Sequence, residues 1–267
     1  MPAPGKPALL GPAASAAKEE SQQLLAVLID ADNAQASTIE GLLAEIAKFG
    51  IASVKRIYGD WTQPQLGSWK KILLEHSIVP VQQFGYTKGK NATDSALIID
   101  AMDLLYTGRF DGFCLVSSDS DFTRLASRLR EQGLTVYGFG ERKTPEPFVA
   151  ACDKFVYTEV LRRTPEKPAA AGEQPRAAKV GDDRQVLVGL ISDAIDAVSD
   201  DSGWAQLGAV GSNITKLRPD FDSRLYGHRK FSDLVKSLPE HFEVDEQTAA
   251  GSGGKSIYVR ILRRTGR

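Results

Sequence analysis

Cysteine and histidine are scarce, with two of the first and three of the second in 267 residues. Cys114 and Cys152 stand far apart with no other Cys or His at ligand spacing, so neither a zinc site nor a disulfide framework is expected. Cys114 lies inside an apolar run and reads as core packing. Long apolar runs are missing too; none approaches the roughly 18–20 residues that cross a bilayer. Charge of one sign does not dominate, since 33 Lys and Arg face 34 Asp and Glu for a net charge of −1. No global field draws the chain to a polyanion, and any such contact must come from local patches. Residues 8–17 are broken by Gly11 and Pro12 and followed by Glu19 and Glu20, which argues against a secretion signal. Residues 1–21 read as a disordered leader, and the cytoplasm is the default compartment.

What the chain does have is alternation. Residues 24–29 form a continuous apolar run, as expected for a strand buried on both faces. Ile39, Leu42, Leu43 and Ile46 follow at helical spacing, and Gly50 stops that helix. The same exchange of strand for helix recurs through residue 157. It predicts an α/β domain over 22–161, doubly wound around a mainly parallel sheet, with ligands beyond the carboxyl ends of the strands. Residues 162–182 turn to Pro, Ala, Gly, Glu and Lys and read as a flexible linker. Over 183–265, helices give way to two strand-like runs around the glycine-rich residues 251–254, the pattern of a small winged-helix α+β domain.

The acids carry the strongest chemical signal. Asp30 ends the first strand, Asp119 and Asp121 follow the strand at 113–116, and Asp94 opens a helix after the third strand. In a parallel sheet these positions converge on one edge. Asp94 lines up with Ile98, Ala101 and Leu105 and so faces the sheet, while Asp100 and Asp103 point elsewhere. Clustered carboxylates repel, and a divalent cation removes that penalty. An oxygen-only donor set favours Mg²⁺ or Mn²⁺ over zinc. Taken singly, Asp94 and Asp121 also fit helix caps, and Asp30 before Asn33 also fits a turn.

At these residues the chain resembles the NYN family, the LabA-like branch of the PIN nuclease superfamily. The resemblance covers residues 24–160 and rests on Leu-Ile-Asp-Ala-Asp-Asn at 28–33, on Lys90 with Asp94 and Asp100, and on Val-Ser-Ser-Asp-Ser-Asp-Phe at 116–122. Two departures stand out: Ser118 where the family often has Gly, and Asp32 where small residues are usual. The resemblance implies a PIN-like, Rossmannoid fold and an endoribonuclease that hydrolyses RNA phosphodiesters with water activated by a bound cation. It implies Asp30, Asp94, Asp119 and Asp121 as ligands of Mg²⁺ or Mn²⁺. Asn33 and Ser117 would orient those ligands or the scissile phosphate, with Asp32 and Asp100 as supporting acids. Lys88 and Lys90, on a basic loop just before Asp94, would hold the RNA backbone, and Trp61 and Tyr86 would offer rings to its bases.

Residues 186–262 resemble the OST-HTH (LOTUS) domain through Leu207-Gly208, Tyr226-Gly227, Lys230-Phe231 and Leu238-Pro239. That implies RNA as the partner, single-stranded or structured. Lys216, Arg218, Arg229 and Lys230, with Lys255 on the expected wing and His228 beside them, are the candidates for phosphate contact. A linker of this length gives the second domain a reach of roughly 25 Å, enough to present bound RNA to the acids. Two other readings stay open. One is an RNA-binding regulator that does not cut; the other is a haloacid-dehalogenase-like phosphatase with Asp30 as nucleophile and Asp32 as its acid/base partner.

Overall fold

A computed structural model of the protein describes residues 22–84, 92–161, 180–248 and 255–262. The leader at 1–21 and most of the expected linker, 162–179, lie outside the described residues.

The first domain runs β1 (Leu24–Asp30), α1 (Ile39–Ile46), β2 (Ile51–Gly59), α2 (Trp69–Glu75), β3 (Val79–Gln82), α3 (Ala92–Tyr106), β4 (Gly112–Val116), α4 (Thr123–Glu131), β5 (Thr135–Gly140), α5 (Glu146–Ala151) and β6 (Lys154–Tyr157). The six strands pair in parallel in the order β3-β2-β1-β4-β5-β6, the doubly wound arrangement expected. β1 shows why its sequence is apolar without alternation. Ala26 and Leu28 enter one core with Leu97, Leu104, Phe122 and Leu129, while Leu25, Val27 and Ile29 enter the other with Ile39, Ile46, Trp69 and Phe139. Both faces of a central parallel strand are covered by helices, so every side chain of β1 from Leu25 onward is buried. Cys114 and Cys152 sit buried in these cores as free thiols. No helix among the described residues is long and apolar enough to cross a membrane.

Close packing between β5 and β6 leaves no room for a side chain at Gly138. A Cβ there would lie 2.4 Å from Phe155 Cδ2 and 2.6 Å from Cys152 Sγ. Gly138→Ala is expected to destabilise the domain by about 2–3 kcal/mol through overpacking. Thermal denaturation should register it as a midpoint lowered by about 5–10 °C.

The second domain comprises α6 (Val180–Val198), β7 (Ala205–Gln206), α7 (Leu207–Leu217), α8 (Phe231–Lys236), β8 (Phe242–Thr248) and β9 (Lys255–Ile261). Its strands form a three-stranded antiparallel sheet, β7-β9-β8, over a core of Leu187, Ile191, Val210, Ile214, Val235 and Val259. Helices backed by a β8–β9 hairpin match the expected winged helix. α6 starts at Val180, inside the stretch expected to be linker.

The expectation of a freely reaching second domain meets direct contacts between the two. The Phe155 N–H on the edge strand β6 donates to the Pro219 carbonyl at 2.9 Å. The Tyr157 hydroxyl donates to Asp220 Oδ2 at 3.1 Å. Arg224 forks onto Glu45 of α1 through two bonds of 2.9 and 3.0 Å. The second domain therefore lies along the β6 flank of the sheet.

Candidate metal centre

Strand order reverses between β1 and β4, which opens a crevice beyond their carboxyl ends. β1 delivers Asp30 to it, the turn after β4 delivers Ser117 and Asp119, and the first turn of α3 delivers Asp94. Each acid follows from its element: β1 ends where the chain turns and polar groups replace apolar ones, and a carboxylate is favoured at a helix N-terminus.

Carboxylate oxygens of Asp94, Asp119 and Asp121 lie within 4.8 Å of one another, a spacing at which three acids can share one cation. Asp94 and Asp119 are half-buried and Asp121 is exposed. Asp119 also accepts the Asp121 N–H at 3.0 Å and so caps the short 3-10 helix Ser120–Phe122. The capping role expected for Asp121 thus belongs to Asp119, and it fixes the loop that carries both acids.

Asp30 is not in that close group. It is 1% exposed and accepts three bonds: from the Asp32 N–H at 3.0 Å, from Asn33 Nδ2 at 2.7 Å and from Ser117 Oγ at 2.8 Å. Ser117 Oγ accepts the Asp119 N–H in turn, at 3.1 Å. Asn33 and Ser117 therefore both orient an acid, and Ser117 couples the end of β1 to the acid loop after β4. Ser118 Oγ accepts the Glu141 N–H at 2.8 Å, tying that loop onward to the segment following β5.

The electrostatics of the crevice are those of charges held too close. Partial burial, then the charges of Asp30, Asp119, Asp121 and Asp32, push the Asp94 carboxyl up from its ordinary 3.8 to about 6. Partial burial, with Asp30 and Asp60 nearby, raises Asp32 as well. An oxygen-only set carrying excess negative charge fits a hard dication such as Mg²⁺ or Mn²⁺.

Other expected residues fall differently. Asp100, expected to point away from the sheet, faces it: Asp100 Oδ2 accepts from Arg56 Nη1 at 2.7 Å and from the Tyr58 hydroxyl at 2.8 Å, both on β2. The sheet-facing stripe of α3 is wide, and two long side chains from β2 reach its border. Asp100 thus anchors α3, and with it Asp94, to the sheet. Trp61 gives its ring N–H to the Val81 carbonyl at 3.0 Å and packs on the core, so it covers the fold. Lys88, Lys90 and Tyr86 lie outside the described residues, as does the side chain of Lys255.

The basic residues of the second domain have different surroundings. Lys216 lines a groove at the amino edge of the sheet with Arg130 and Asp153. Arg218 pairs with Asp220 at 3.4 Å. Arg229 and Lys230 are exposed ahead of α8. His228 instead lines a cleft between the domains, together with Arg142, Tyr157, Arg184 and Tyr226. Sequence reasoning missed Arg142, whose position two residues past the end of β5 was the available signal.

Comparison with known proteins agrees with this architecture. The NYN domain family matches residues 24–160, and the OST-HTH/LOTUS domain family matches residues 182–252. Among solved structures, an uncharacterized protein of Nitrosomonas europaea is 37% identical over 39% of this chain and 92% of its own, at a TM-score of 0.30. A protein from Chromobacterium violaceum is 38% identical over 30% of this chain and 84% of its own, at a TM-score of 0.25. A protein of unknown function from Vibrio parahaemolyticus is 19% identical over 53% of this chain and 96% of its own, at a TM-score of 0.44. No curated protein matches. The NYN match spans about half of the chain and includes every acid of the crevice, so the chain belongs to the NYN domain family.

Proposed function

We propose that the protein is a Mg²⁺- or Mn²⁺-dependent ribonuclease, cutting RNA internally, with the OST-HTH domain engaging the substrate. The observation that supports this most is the three-acid group at the strand-order reversal. Asp94, Asp119 and Asp121 would hold the cation, with Asp30 adding its charge from below or a contact through water. When bound, the cation supplies Lewis-acid activation of water and neutralises charge that builds on the phosphate. The chain's own part is orientation. Asn33 and Ser117 fix Asp30, Ser117 fixes the Asp119 backbone, and Asp100 fixes the helix that presents Asp94.

RNA would reach this edge along cations of both domains. Arg229, Lys230 and Arg218 of the second domain, with Lys255, Lys88 and Lys90, are the proposed phosphate contacts; Lys216, at the amino edge of the sheet, would hold RNA only away from the acids. A phosphatase using Asp30 as nucleophile is disfavoured, because that carboxylate is buried with both oxygens accepting hydrogen bonds.

Labelled single-stranded RNA incubated with the protein should be cleaved with Mn²⁺ or Mg²⁺ and left intact with EDTA. RNA that stays whole with either metal, yet binds, would favour a regulator that does not cut.

Metal occupancy should also be visible without turnover. The raised pKa of Asp94 means that its ionised form destabilises the fold at neutral pH. The penalty is complete above about pH 6 and fades as pH falls toward 3.8. After allowing for solvent screening of a half-exposed group it is about 1 kcal/mol. In EDTA at neutral pH, Asp94→Asn should therefore melt about 2–4 °C above the parent. Mn²⁺ should raise the parent's midpoint and leave the variant's unchanged. Equal stabilisation of both by Mn²⁺ would remove Asp94 from the site.

A further inference from the structure

The cleft between the domains has a volume of ≈ 640 Å³ and is lined by Arg142 and Tyr157 of the first domain and Arg184, Tyr226 and His228 of the second. β6 is parallel to β1 and β4, so Tyr157, at its end, lies on the same sheet edge as the acids. Arg142 follows β5, which neighbours β4. From β4 to β6 is two strand spacings, about 10 Å, a span of a few nucleotides.

Arg142 is held in relation to the acids by a short chain of bonds. The Glu141 N–H donates to Ser118 Oγ, one residue before Asp119, and the Arg142 N–H donates to Glu159 at 2.9 Å. Thr144 Oγ1 donates to the Glu141 carbonyl at 2.6 Å and closes the turn. The backbone is thus fixed, while the Arg142 side chain is exposed and forms no ion pair among the described residues. Across the cleft, Arg184 pairs with Glu240 at the surface, and both partners are about half exposed. The Tyr157 ring is steadied by its hydroxyl bond to Asp220.

We infer that this cleft is a single-stranded RNA subsite: Arg142, with Arg184 and His228, holds phosphates, and Tyr157 and Tyr226 offer their rings to bases, on the path to the acid group. The argument rests on the ribonuclease reading for its direction and on the cleft's own cations and rings for its chemistry. It makes the substrate site a joint product of the two domains, since neither alone supplies both walls.

The test is binding without cleavage. The full chain carrying Asp119→Asn, in EDTA, is titrated with a short labelled single-stranded RNA while salt is varied, with and without Arg142→Glu. The second substitution should weaken binding about tenfold and flatten the slope of log affinity against log salt by about 0.7–1. An unchanged affinity and slope overturns the proposal. Because Arg142 is exposed, its variant should melt like the parent. In addition, the unmutated chain cross-linked to 4-thiouridine RNA should give adducts at Tyr157 or Tyr226, and adducts confined to the β8–β9 hairpin overturn it. The two readings fail separately: RNA held by Arg142 but never cut sinks the nuclease alone, and RNA cut with no dependence on Arg142 sinks the subsite alone.

Discussion

Asp119→Asn is expected to reduce metal-dependent RNA cleavage at least about a thousandfold at saturating RNA, equivalent to about 4 kcal/mol of lost transition-state stabilisation. The substitution keeps the shape of the side chain and one carbonyl oxygen, so the bond from the Asp121 N–H that caps the acid loop can persist. What disappears is one negative charge from a group of three whose oxygens lie within 4.8 Å. A cation held by fewer charges is bound more weakly and sits less firmly. RNA affinity in EDTA should stay within about twofold of the parent, because phosphate contacts come from basic residues. Single-turnover rates over a Mn²⁺ series measure the loss. Cleavage that survives at the parental rate would point to a contaminating enzyme or to a different catalytic centre.

Arg224→Ala is expected to lower stability by about 2–3 kcal/mol. Arg224 is clamped by Asp222 within its own domain and reaches Glu45 of α1, whose side chain is only 7% exposed. Truncation leaves that buried carboxylate with Lys48 alone. Glu45 also gives the contact a pH dependence. Burial acts to raise its pKa, but hydrogen bonds and charge from Arg224 and Lys48 outweigh burial and lower it. A lowered carboxyl pKa adds stability that is present above 4.5 and is lost as pH falls through the folded value. Acid should therefore loosen the domains in the parent, while Arg224→Ala should melt lower at neutral pH and respond less to acid. Calorimetry from neutral pH down to about pH 3 reads both effects, since the loss falls below 4.5. Identical melting of variant and parent would show that the contact contributes nothing.

Much of the first domain was legible in the chain. The run at 24–29 announced a strand buried on both faces because in a central parallel strand both faces are packed. Asp94 was placed on the sheet side of its helix by periodicity alone, and Asp119 with Asp121 by their position after an apolar strand. These are local rules acting on local residues. Asp100 was misplaced because its partners, Arg56 and Tyr58, come from another strand whose register no local pattern fixes. Asp30 was put among the ligands by family position, and its three donors could be seen only once the ends of β1 and β4 were side by side. The Glu45–Arg224 bond joins residues 179 apart in sequence and left no trace in composition or spacing. The same distance hid Arg142, whose meaning depends on a wall supplied by the other domain.

The way the second domain lies along β6 bears on how the chain survives crowding. A sheet margin with open amide groups invites foreign strands to add on. Here one margin carries Pro80, whose ring cannot donate a hydrogen to a newcomer, and the other gives the Phe155 amide to Pro219. Polymerisation through that second margin must wait until the domains part, so the contact that shapes the cleft also guards the protein against its own copies.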